Sequence, residues 1–65
     1  MQYVILTSTG YRTGEGIVSR WFADAKVFNH KTGLVIYIRQ FDCEDNELVL
    51  CANTQKLLGN VGNLK

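Results

Sequence analysis

Apolar and polar positions divide the chain into short blocks. Tyr3-Val4-Ile5-Leu6-Thr7 is a run of aromatic, β-branched and aliphatic residues, which is strand composition. Gly10, Gly14 and Gly16 then mark a turn region, because glycine reaches positive φ at low cost. Residues 17–22 predict a second strand. Its alternation sets Val18, Arg20 and Phe22 on one face and Ile17, Ser19 and Trp21 on the other. The simplest pairing of the two is an antiparallel hairpin through the glycine-rich loop. In residues 23–28, one helical turn would bring Ala25 and Phe28 to the core together, and Asn29 is a good N-cap for the segment after it.

Residues 31–41 fit two elements. As a helix, Leu34, Val35, Ile38 and Phe41 form an apolar stripe with Arg39 and Gln40 off it. As a strand, Leu34, Ile36 and Ile38 oppose Val35, Tyr37 and Phe41, and the β-branched content leans this way. Gly33 either weakens a helix start or closes a preceding helix. Residues 42–47 are a polar turn, and Leu48-Val49-Leu50-Cys51-Ala52 is a strand. Thr54 caps one short turn, and Gly59 to Asn63 reads as a frayed end, since glycine and asparagine disfavour helix. There is no internal repeat and no linker.

Several of these pieces form one pattern. A Tyr-Val-Ile strand leads to a glycine-containing turn and a strand ending in Trp21. Asp24-Ala25-Lys26-Val27-Phe28 and a polar cap come next, then a segment ending Tyr37-Ile38-Arg39-Gln40-Phe41, a charged turn and a Leu-Val-Leu strand. Over residues 3–52 this is similar to small accessory proteins encoded by bacteriophages, with the order strand, strand, Ala-x-x-Phe turn, helix, strand. The resemblance implies a helix after Asn29, although Gly33 and the β-branched run depart from it. It also implies a viral or mobile-element context, where many such proteins bind and disable a host enzyme or defence complex. It implies no chemistry.

Composition narrows the classes. Sixty-five residues supply one core and one domain of thin stability. With 46% hydrophobic and 20% charged residues, six glycines and no proline, the chain is neither disordered nor collagen-like. A net charge of +1 is lower than a general nucleic-acid binder usually carries. The longest apolar run, Leu34 to Ile38, is far short of the ~20 residues that span a bilayer, so no membrane association is expected. The start, Met1-Gln2-Tyr3, has no basic region before a long apolar one. The expectation is therefore a cytoplasmic protein with Cys43 and Cys51 as reduced thiols, in the bacterial host cytoplasm if phage-encoded.

Candidate chemistry is sparse. His30, the one histidine, reads as a solvated cap residue rather than a general base. Cys43 lies among carboxylates that disfavour its thiolate, and Cys51 reads as a small core residue. Two cysteines and one histidine are too few for zinc, and the 42–47 turn lacks calcium-loop spacing, so neither metal nor cofactor is expected. Gly10 to Gly16 lacks the Gly-Lys-Ser/Thr ending of a phosphate loop. No nucleophile–base pair is present, and enzymatic activity is not expected.

Charge asymmetry is the stronger signal. Asp42, Glu44, Asp45 and Glu47 put four carboxylates in six residues, while the rest of the chain carries a balance of +5. Complementary fields of this kind speed and orient association. Trp21 is either core or an apolar anchor at a contact surface. The fold expected is α+β: one small domain, strand–strand–helix–strand, with an antiparallel sheet of about three strands and one helix. Its core is 2–53, with a short turn and frayed tail over 54–65. The alternative is a β meander with a helix over 24–32. The function expected is a non-enzymatic, phage-type inhibitor or modulator of a host protein, bound through Asp42, Glu44, Asp45, Glu47 and Trp21. Second is a nucleic-acid-binding module using Arg12, Arg20, Lys26, Lys31 and Arg39. Third is a homo-oligomeric accessory protein, such as a homodimer paired through a strand edge.

Overall fold

In the computed structural model, which describes all 65 residues, five antiparallel strands form one sheet with a single α-helix. The strands are β1 (Tyr3–Thr7), β2 (Gly10–Arg12), β3 (Val18–Ser19), β4 (Leu48–Cys51) and β5 (Leu57–Asn60), in the order β3-β2-β1-β4-β5. Helix α1 spans Lys31–Gln40, and 3-10 turns cover Phe22–Asp24 and Val61–Leu64. The α+β class and the single domain stand, but the sheet has five strands rather than about three.

β1 is central because both of its faces are apolar. Ile5 pairs with Val49, and Val4 with Leu50, across β1 and β4. Ile5 and Val49 meet Leu34, Tyr37 and Ile38 of α1, together with Phe28, Cys43 and Val61. Val4, Leu50 and Ala52 form a second cluster, with Leu6, Tyr11, Ala25 and Leu48 packed against it. Burial on both faces explains a continuous apolar run in β1 where a one-sided strand would alternate.

The two extra strands come from segments read as turn and tail. Gly10-Tyr11-Arg12 turns back directly from β1, so the hairpin closes at Ser8-Thr9, before most of the glycine-rich segment. Gly10 makes this fit: a Cβ there would sit 2.3 Å from the Ser19 carbonyl oxygen across β2 and β3. Only Val18 and Ser19 of the expected 17–22 strand are in the sheet. Residues 54–65 are not a frayed extension. Leu57–Asn60 pairs with β4 as an edge strand, and Val61 is fully buried. Apolar contact holds this tail despite its poor helix and strand propensities.

The 23–28 segment also differs from the helical turn expected of it. After the 3-10 turn it is extended, and the Phe28 and Tyr3 backbones exchange two hydrogen bonds of 2.8 Å. Ala25 and Phe28 therefore reach opposite faces of the sheet, one in each cluster. Residues 31–40 are helical. The Leu34, Tyr37, Ile38 stripe covers the sheet, and this tertiary packing outweighs the β-branched preference for strand. The cap is His30 rather than Asn29, and it makes no side-chain cap bond. Asn29 instead accepts a hydrogen bond from Gln2.

At its far end, α1 closes through Asp42, whose φ is 50°. The Cys43 N–H reaches back to the Ile38 carbonyl, and both side chains enter the core. This is a Schellman-type end with aspartate where glycine is usual.

Candidate partner-binding surface

Trp21 stands in solvent, 64% exposed, so it is not a core residue. Its backbone is fixed even so. The Ser19 hydroxyl accepts from the Trp21 N–H and donates to the Asp24 carboxylate at 2.6 Å. This bracket turns the chain out of the sheet after β3. The Arg20 guanidinium lies 5.8 Å from the Trp21 ring centroid, within cation–π reach. Ile17, Val18 and Phe22 beside it are exposed as well. Phe22 meets Tyr11 edge-on at 5.3 Å, so the apolar edge is anchored to the sheet.

The acidic loop joins this edge through one ion pair. Glu47 is buried, and Arg12 grips it with Nε–Oε1 at 2.8 Å and Nη2–Oε2 at 2.6 Å. Glu47 also accepts from the Glu44 N–H, while Arg12 donates to the Gly16 carbonyl. Burial pushes the Glu47 carboxyl up, but its bonds to Arg12 and the Glu44 backbone outweigh this, and its pKa ends below the ordinary value. The Arg12 pKa is raised by the same bond. Gly16 meets the Phe41 ring, where a Cβ would lie 2.3 Å from it. The loop before β3 and the loop after α1 are thus locked together. Val18 and Glu44 line one depression of about 380 Å³ between them.

The four carboxylates are not equivalent. Glu47 is paired inward with Arg12, and Asp45 meets Lys65 at 2.9 Å. Asp42 and Glu44 are exposed and have no ion-pair partner. The exposed acidic face is therefore narrower than four residues. The Arg12–Glu47 pair, 35 positions apart, left no signal in the sequence.

The basic residues do not converge. Arg12 is held by Glu47, and Arg20 lies over Trp21. Lys26 lies over the Phe28 ring, and Lys31 and Arg39 stand two turns apart on α1. No depression is lined by more than one of the five.

Both cysteines are free and buried. Burial raises the Cys43 thiol pKa first, with neighbouring carboxylates adding less, so the carboxylates are not the main cause the sequence pointed to. No group of three or more His, Cys, Asp or Glu is placed to hold a metal ion. No helix is long and apolar enough to cross a membrane. In comparisons with family models, curated proteins and solved structures, nothing matches this chain.

Proposed function

We propose that this is a small non-enzymatic binding protein that captures a host protein and inhibits or modulates it, as phage accessory proteins do. The observation that carries the reading is Trp21, held on a hydrogen-bonded turn with its ring in solvent. Exposing a tryptophan on a fixed backbone forgoes core burial and presents a preorganised anchor, and tryptophan is among the residues most enriched at binding hot spots. Ile17, Val18 and Phe22 extend the apolar edge, and the unpaired carboxylate of Glu44 lines the same depression as Val18. An apolar centre flanked by free acid fits a partner surface with an apolar pocket and a basic rim. The scattered basic residues favour this reading over nucleic acid.

The test is affinity capture from bacterial lysate, with and without nuclease, using the wild type and a variant with Asp42, Glu44 and Asp45 changed to lysine. The expected result is a protein retained after nuclease and lost with the variant, whose circular dichroism stays native. Retention that vanishes with nuclease would move the function to nucleic acid. Unchanged capture by the variant would remove the acidic loop from the surface.

A further inference from the structure

The β3 edge of the sheet has no neighbouring strand. Its register fixes which main-chain groups it leaves free. The Thr13 N–H and hydroxyl both donate to the Ile17 carbonyl, and Tyr11 pairs with Ser19. Ile17 and Ser19 therefore turn main-chain groups toward β2. Val18, between them, turns its N–H and carbonyl outward. Its partner in β2 agrees: the Arg12 carbonyl points the other way and accepts from the Lys26 N–H. No turn or loop hydrogen bond reaches either Val18 group. Val18 also lines two open depressions. One, of about 480 Å³, holds Glu15 and Asp24 and no cation. The other holds Glu44 and the Arg12–Glu47 pair. The only other ion pair is Asp45–Lys65, so Glu15, Asp24 and Glu44 are exposed and free of any cation.

We infer that β3 takes an added strand from the partner, an extended segment with basic side chains on both of its faces. The inference rests on the capture reading above and names the element that the partner supplies. Val18 offers the donor and the acceptor that an added strand pairs with. Successive side chains of such a strand alternate between the two faces of the sheet. One set meets Glu15 and Asp24 beside the exposed Ile17, and the other meets Glu44 beside Val18. Charge selects the occupant. Three free carboxylates line the two depressions, and the one cation there, Arg12, is already paired. A second copy would bring three more carboxylates, against a single Arg20 that lies over its own Trp21. A nucleic-acid backbone or an acidic segment would meet the same repulsion. The depression beside β5, the opposite edge, holds Lys31 and no acid, so a basic strand is directed to β3.

The test is a titration of isotope-labelled protein at low salt, followed by amide NMR. The first probe is a short capped peptide of valine, lysine and arginine. The second has glutamate in place of every basic residue, and the third is the basic peptide N-methylated at every amide. The expected result is saturable shifts at Ile17, Val18 and Ser19 with the basic peptide, and binding weaker by about tenfold or more for the other two. A double variant, Glu15→Gln with Glu44→Gln, leaves the Arg12–Glu47 pair and the Ser19–Asp24 bond intact and weakens binding about tenfold. Equal binding by the N-methylated peptide would mean charge without strand pairing and would overturn the inference. Equal binding by the glutamate peptide, shifts centred on β5, or β3 shifts with protein concentration alone overturn it as well. If the β3 amides stay in place up to millimolar basic peptide while Trp21-dependent capture from lysate persists, this inference falls and the capture reading stands. The expected β3 shifts with no protein captured from lysate uphold the strand site and remove the capture reading.

Discussion

Asp42 holds a left-handed backbone position that glycine takes most easily, and it places a carboxylate beside the negative end of α1. Both choices cost stability. Asp42→Gly is therefore expected to stabilise the fold by about 1 kcal/mol, raising Tm by about 4–8 °C, while weakening partner capture. A melting curve checks the first part; a drop in Tm would show that the aspartate is structural. Gly16 is the opposite case. Its φ of 87° and the Phe41 ring leave no room for a side chain, so Gly16→Ala should destabilise by about 2 kcal/mol in chemical denaturation. Glu47 links residue chemistry to pH. Its folded pKa lies below the ordinary 4.5, so its contribution is complete above that value and is lost as pH falls through the lower folded value. Glu47→Gln leaves Arg12 without its partner and should cost about 3 kcal/mol at neutral pH, with a shallower loss of stability in acid than the wild type shows.

Among the elements, α1 carries the least expected arrangement. Stabilising charges would be acids in the first turn and bases in the last. Here Lys31 opens the helix, no acid stands in the first turn, and Asp42 and Glu44 come after the last, with Arg39 alone offsetting them. The charged side chains thus reinforce the helix dipole, at a cost to the helix. Lys31→Glu is expected to stabilise the fold by about 0.5 kcal/mol, measured by urea denaturation. The C-terminal element makes a separate prediction. Val61 is fully buried against the helix-side core, so Val61→Ala should cost about 2 kcal/mol, whereas a loose tail would tolerate it unchanged.

Across the whole molecule, local pattern revealed some parts and long-range contact decided the rest. β1, β4 and the acidic loop were legible because apolar runs and charge runs are local. Helix α1 was not decided by its own residues, since Leu34, Tyr37 and Ile38 choose helix only once a sheet lies beneath them. β5 and the buried Val61 were hidden by Gly59, Asn60 and Gly62, whose propensities say nothing of the partner strand. At the candidate surface, Trp21 and the acidic run were visible as residue types. The pairing of Glu47 with Arg12, which narrows that run to Asp42 and Glu44, was not. The result is a molecule whose exposed apolar edge at β3 is tied to the acidic loop by the Arg12–Glu47 pair, a contact that no short stretch of sequence contains.

Trp21 is proposed to anchor a protein partner. The most direct measurement is parallel capture from nuclease-treated bacterial lysate by the wild type and by Trp21→Ser. Trp21 is exposed, so the substitution should leave Tm nearly unchanged. Loss of a hot-spot tryptophan costs about 2 kcal/mol or more in binding, roughly a thirtyfold drop in affinity. The expected result is a retained host protein that disappears with Trp21→Ser while the melting curve stays in place. The same proteins retained equally by both, from a variant that is equally folded, would contradict it.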